Sequence, residues 1–268
     1  MEIIFEHQGR RFRGRSNECR SIAIELDFNG PQPKFFDAPR ALARPFETLE
    51  FSGQTALGGS CNVSAIELVP HCNGTHTETV GHIVDESVWI GRAARDPLML
   101  AVLLTVRPVS ANQTKETYRP PLQDSDQVIT ASEIQRAWGP LSIVQPPALI
   151  LRTIPNPPEK RSRVYSEGSK TPSFTMEAIE AMVEMNVLHL LVDLPSIDRL
   201  HDEGRLTNHH LFWRVTEGAH RLDDDSRRDA TITEMVFVDD SLIDGFYGLN
   251  LQLPAFRCDA APSRPIIW

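Results

Sequence analysis

The sequence predicts an α/β protein made mostly of strands. Three observations carry this: a helix-like segment that runs straight into an apolar strand within residues 171–198, a ten-residue apolar run at 97–106, and strand candidates spread from residue 21 to residue 256. A helix feeding a strand buried on both faces is what helices packed on a sheet produce. The chain has 268 residues, 41% of them apolar, which suits one large domain or two small ones with a proper core. No internal repeat and no sharp composition break marks a boundary, so residues 1–268 read as a single domain.

The elements follow in order. Arg10, Arg11, Arg13 and Arg15 make a local basic patch, which fits a solvated strand as well as a phosphate contact. Alternation in SIAIELDF (21–28) predicts a half-buried strand. NGPQPKFFDAPRALARPFE (29–47), rich in proline and aromatics, reads as an irregular covering loop. NVSAIELVPH (62–71) reads as a strand ending at His71. PLMLAVLLTV (97–106) is too short to span a bilayer and reads as a buried strand. A polar loop covers 108–126, and ASEIQRAW (131–138) reads as a short helix with Thr130 as its cap and Glu133 three residues on. PPALILRTIP (146–155) reads as a central strand. In the next helix Thr171 is the expected N-cap and Pro172 the first helical residue, with Ile179, Met182 and Val183 on one face. NVLHLLVDL then forms the buried strand, and TITEMVFVDD (231–240) and GLNLQLPAF (248–256) add two more.

Charge and cysteine use narrow the function. A net charge of -9 argues against nucleic acid as a partner. No segment is long and apolar enough for a membrane partner. Cys19, Cys61, Cys72 and Cys258 include no CxxC pair, so zinc-ribbon and thioredoxin readings fail. The first residues contain no signal-peptide pattern, so a cytoplasmic chain with reduced cysteines is expected. The N-x-S/T triplets at Asn62, Asn73 and Asn112 then carry no glycan.

The informative stretch is HCNGTHTETVGH (71–82), with three of the chain's nine histidines and one glutamate. Imidazole and carboxylate together suit zinc, manganese or iron. His76 and Glu78 are two apart and share a face of an extended strand, as does His82 if the strand continues. His71 has the opposite parity and needs a bulge or turn at Asn73–Gly74 to join them. From these residues alone, a metal or catalytic site and a polar turn both stand. Elsewhere, His209 and His210 precede an apolar LFW, and either fits a buried histidine bonded to backbone. Glu234, among Ile232, Met235 and Phe237, needs a partner if buried or faces solvent. Asp193 and Asp198 lie where open sheets gather functional groups, or else cap turns. Asp239 and Asp240 read as an ordinary turn.

Together these residues resemble the metal-dependent cyclase and bacterial kynurenine formamidase family. Its signature of a histidine, a Gly-Thr-His, an aspartate two residues on and a further histidine is similar to His71, Gly74-Thr75-His76, Glu78 and His82. VDLPSID, NHHLF and ITEMV resemble its later segments, over roughly residues 20–260. The chain departs from the family in having four residues between the first two histidines, Glu78 in place of aspartate, and Thr79-Val80-Gly81 in place of the family's proline.

The resemblance implies a swivelling β/β/α domain with a mixed, barrel-like sheet, in a homodimer or homotetramer. It implies one or two zinc or manganese ions held by His71, His76, Glu78, His209 and Glu234, with His82 and Glu78 catalytic. It also implies hydrolysis of a small amide such as the formamide of N-formylkynurenine, or of a cyclic amide or imide. Phe35, Phe36, Phe46 and Trp89 are the expected pocket walls.

Overall fold

A nine-stranded mixed sheet organises the computed structural model, which describes residues 2–166 and 169–268. In chain order its strands are β1 (Arg20–Ser21), β2 (His76–Thr79), β3 (Leu98–Val106), β4 (Ala148–Thr153), β5 (His189–Val192), β6 (Thr231–Glu234), β7 (Gly245–Asn250), β8 (Ala260–Pro262) and β9 (Ile266–Ile267). They lie side by side as β8-β2-β6-β5-β4-β3-β7-β9-β1. The middle four, β6 to β3, are parallel, and the strands outside them are antiparallel.

Side-chain parity explains the apolar runs. Val102, Leu104, Leu149, Leu151, Leu190 and Val192 face three helices, α1 (Ala131–Trp138), α2 (Met176–Glu184) and α3 (Thr207–Trp213). The alternate residues Met99, Ala101, Leu103, Ala148, Ile150 and Leu191 pack on the opposite face against Ile22, Val236, Leu249 and Ile267. Both faces are covered, so the strands have no polar side. Each such leucine or isoleucine contributes about 1.5–3 kcal/mol through burial.

That second core exists because the sheet curls. The segment after β1 crosses to the segment after β6: Ala23 bridges Val236, and the Phe237 N–H donates to the Ile22 carbonyl at 2.7 Å. One edge is thereby tied back to the middle as a half-barrel, the mixed, barrel-like α/β sheet expected.

The buried strands fall where the sequence puts them, and α1 matches residue for residue. Thr130 Oγ1 accepts from Glu133 N at 3.2 Å, while the Glu133 carboxylate turns to Arg107 N and Arg136 instead of closing a capping box. Several expectations need correction, beginning with the 231–240 strand, whose ladder ends at Glu234. Residues 21–28 keep their alternation as burial of Ile22 and Ile24, but only Arg20–Ser21 joins a ladder, because the rest crosses to β6. In 62–71, strand structure is confined to Ser64–Glu67, paired with Leu42–Pro45 in a separate ribbon, and stops before His71. The ladder of the 248–256 candidate covers Gly245–Asn250, in register with β3. The expected helix start at Thr171–Pro172 is displaced to Thr175, whose Oγ1 accepts from Ala178 N. Between the two starts, Ser173–Phe174 pairs with Val128–Ile129, and the buried Phe174 ring holds that stretch extended. The basic patch lies on an N-terminal hairpin, where Arg11 meets Glu6 at 2.8 Å and Arg13 meets Glu2 at 3.8 Å. Among the described residues no helix is long and apolar enough to cross a membrane.

Candidate metal centre

The site forms at the carboxyl ends of the parallel strands, where open sheets leave room for ligands. Glu234 closes β6, and antiparallel pairing sets it opposite His76 of β2. Alternation in β2 sends His76 and Glu78 into the site. Thr77 goes the other way, to the hydroxyls of Thr233 and Ser263. Before β2 the chain turns: the N–H groups of Cys72 and Asn73 donate to the Val69 carbonyl, and Gly74 takes φ +87°. This is the turn His71 needed to join the other histidines.

After β2 the strand does not continue, so the condition for His82 to arrive by strand parity is not met, and the chain bends at Gly81. A 3-10 turn, Val80–His82, brings it back, with Thr79 Oγ1 accepting from Gly81 N. Gly81 has no room for a side chain, since a Cβ would lie 2.6 Å from the Val88 carbonyl. His209 sits on helix α3, not on an extended run. Adjacent residues of a helix therefore diverge by about 100° rather than flipping faces, and His210 leaves the site. It bonds the Val215 carbonyl, and burial lowers its pKa.

Three histidines follow one plan: an outer acceptor holds one ring nitrogen, and the other nitrogen faces a buried carboxylate. His209 Nδ1 donates to Asp198 Oδ2 at 2.5 Å, and its Nε2 meets Glu78 Oε1 at 2.9 Å. His71 Nε2 donates to Asp259 Oδ2 at 2.7 Å, and its Nδ1 meets Glu78 Oε2 at 2.9 Å. His76 Nδ1 donates to the Gly74 carbonyl at 3.0 Å, and its Nε2 points at Glu234 Oε2, 3.5 Å away. Glu78 thus spans the site, one oxygen toward each half. Glu234 also accepts from Ile197 N, and its Oε1 lies 3.8 Å from His209 Nε2. His82 stacks on His71 with ring centres 4.2 Å apart, its Nε2 4.0 Å from Glu78 Oε2.

The electrostatics follow from burial and pairing. Burial alone would lower the pKa of His71, but hydrogen bonds to Asp259 and Glu78 hold it up at about 10. Burial opposes charge on His209 too, and Glu78 with Asp198 raise it well above an ordinary imidazole. Burial would raise Glu78, and the surrounding His82, His209 and His71 keep it well below the usual carboxylate range. Asp259 is held down by its hydrogen bond from His71 and by the nearby His82 ring.

The remaining candidates sort cleanly. Asp198 belongs to the site through His209, and it also accepts from Tyr118 Oη at 2.6 Å and Asn208 N at 2.8 Å. Asp193 does not: Lys160 Nζ donates to it at 2.7 Å, and Thr153 supplies two further bonds. Asp239 and Asp240 stay in a turn, with Asp239 accepting from Ser241 N. Phe35 packs with Met235, Phe237 and Cys72 beside His71. Sequence reading missed Asp259 altogether. It lies 188 positions from His71 in an unpatterned RCDAAP, and only the pairing of Ala260 with Glu78 brings it in.

The donor set suits a divalent cation. His71, His76 and Glu78 offer ligand atoms within 4.8 Å of one another, as do Glu78, His82 and His209. Among the described residues His76 Nε2 is buried without a hydrogen-bond partner, an arrangement costly unless something else fills the gap. The protons on His71 and His209 supply the positive charge that an ion would supply when they leave. Nitrogen and oxygen donors of this mix fit zinc or manganese without choosing between them.

The same architecture recurs in solved structures. A predicted metal-dependent hydrolase from Bacillus stearothermophilus superposes with a TM-score of 0.58 at 15% identity, covering 93% of this chain and 97% of that one. Isatin hydrolase A from Labrenzia aggregata, bound to benzyl benzoate, gives 0.62 at 14%, covering 93% of each chain. An isatin hydrolase bound to the product analogue thioisatinate gives 0.59 at 14%, covering 93% of this chain and 91% of that one. Among proteins of curated function, none matches the chain in sequence. At such identities the likeness is one of fold, and the family rests on the sequence profile of the putative cyclases, which matches residues 21–199 and so takes in β2 to β5 and the whole His71–His82 stretch. The chain belongs to the putative cyclase family.

Proposed function

We propose that the chain is a metal-dependent hydrolase of a small non-peptide amide. The observation that carries this is the convergence of His71, Glu78, His209 and Glu234 about His76, whose buried Nε2 has no hydrogen-bond partner among the described residues. His71, His76, Glu78, His209 and Glu234 would hold one or two zinc or manganese ions. A bound divalent cation supplies polarisation of the carbonyl and a water acidic enough to attack at neutral pH. The chain's own groups do the rest. Glu78 keeps the His71 and His209 rings facing inward from both sides. His82, about a quarter exposed at the rim, passes a proton to the leaving nitrogen. His76, Glu78, His209 and Glu234 are buried, so substrate enters past His71, His82 and Asp259.

An arylformamide such as N-formylkynurenine is the first substrate class, in keeping with the family resemblance. Ring opening of a cyclic imide, lactone or isatin-like lactam is the second, supported by the isatin hydrolases among the similar structures. Water adds across the carbonyl–heteroatom bond in either case, and pocket shape alone separates them. A cytoplasmic homodimer or homotetramer is the proposed form, measurable by light scattering. The deciding experiment is elemental analysis of untagged protein with a hydrolysis screen of formanilides and cyclic imides. Replacing His82 with alanine is expected to keep the cation and cut turnover by about 10²–10⁴. A chain that holds no cation and turns over neither class would instead be a metal-free, non-catalytic small-molecule-binding member.

A further inference from the structure

Asp259 Oδ2 serves two rings at once: it lies 2.7 Å from His71 Nε2 and 3.6 Å from His82 Nδ1. Those rings are stacked, with an interplanar angle of 27°. Each therefore presents its opposite nitrogen, His71 Nδ1 and His82 Nε2, to the same Glu78 oxygen at 2.9 Å and 4.0 Å. The backbone that carries the carboxylate is itself fixed. Thr79 N donates to the Asp259 carbonyl at 3.0 Å, and the next residue, Ala260, is in register with Glu78. Thr79 ends the strand that carries His76 and Glu78, so Asp259 is locked to the donors it serves.

We propose that Asp259 is a positioning residue that selects which nitrogen of both His71 and His82 faces the metal centre. The inference rests on the metal-hydrolase reading and adds to it a residue outside the expected ligand set. An outer carboxylate on a ligating histidine fixes ring orientation and strengthens the donor, and losing one weakens metal binding about 10–100-fold. Here a single oxygen does this for a proposed ligand and for the proposed proton donor together. Asp198 does it for His209 alone, from a fully buried position with three other donors around it.

The test uses the full chain with cobalt(II) as the probe, read by absorption spectrum and by competition with a chelator. Asp259→Ala is expected to bind cobalt about 10–100-fold more weakly with unchanged stoichiometry. Its ligand-field bands should shift, and its kcat should fall more than its KM rises. Asp259→Asn keeps a carbonyl acceptor and the side-chain volume and is expected to recover part of the affinity; it carries the same test if the alanine variant fails to fold. Wild-type affinity and spectrum in both variants would overturn the positioning role while leaving the metal reading intact. Loss of a whole cobalt equivalent would overturn it in another way, making Asp259 a ligand. A wild-type chain that takes up no cobalt overturns the metal reading and this role with it.

Discussion

Two buried acidic clusters sit at the carboxyl ends of neighbouring parallel strands, and they are finished differently. Beyond β5, Asp193 receives Lys160 Nζ at 2.7 Å and both the N–H and the hydroxyl of Thr153. Lys160 spends its other donors on Thr153 O and Oγ1, so the cluster is closed with a cation that belongs to the chain. At the end of β6, the chargeable side chains that face Glu234 and neighbouring Glu78 are histidines, and His76 Nε2 has no hydrogen-bond partner among the described residues. A tethered ammonium fills a charge gap permanently. Imidazoles can release their protons and leave the gap for an ion. The first arrangement holds structure, and the second suits exchangeable chemistry.

The sharpest way to break this contrast is to remove the open cluster's unpartnered donor. His76→Ala is expected to reduce zinc or manganese affinity by more than about 100-fold, beyond the loss typical of outer-sphere changes. Its circular dichroism should stay that of the wild type. Full cation content in that variant would show that the open cluster is not the metal centre. The closed cluster should respond the other way. Lys160→Met leaves Asp193 buried and unpaired, which costs about 3–5 kcal/mol, read as a lower denaturation midpoint with cation uptake retained. A double variant, Lys160→Met with Asp193→Leu, is expected to regain much of that loss.

A smaller effect separates histidines by their company. His71, facing two carboxylates, is held at about 10, whereas His189, buried with a bond to Thr231 Oγ1 and near Arg227, is lowered by burial to about 4. The unfolded His189 side chain, near 6.5, takes up a proton that the folded one refuses. Its contribution is therefore complete above about pH 6.5 and is lost as the pH falls toward 4, by on the order of 2–3 kcal/mol. His189→Asn, which keeps a donor for Thr231, should flatten stability across that window in urea titrations at several pH values. An unchanged slope would refute the assignment.

Legibility in the sequence tracked locality. His76 and Glu78 were readable from a period of two, and α1 from Thr130 and Glu133, because each signal lies within a few residues. Thr171–Pro172 carried an equally good local helix signal, but strand pairing of Ser173–Phe174 with a segment some 45 positions earlier overruled it. Asp193 and Asp198 looked alike until Lys160 and His209 chose between them, and neither partner is near in sequence. His209 is placed by the resemblance alone, since nothing local separates it from His210 until helix α3 turns the two rings apart. Asp259 had no local signal whatever, since its role comes from the register of β8 on β2.

That register also orders the assembly of the centre. Strand β8 follows every other element of the site in the chain, so during synthesis His71, His76, Glu78, His209 and Glu234 all emerge before Asp259. Until β8 docks, the outer edge of β2 is unpaired, and edges in that state recruit wrong partners. The nascent protein can therefore gather its inner donors early, while the orientation of His71 and His82 waits for the strand that seals them.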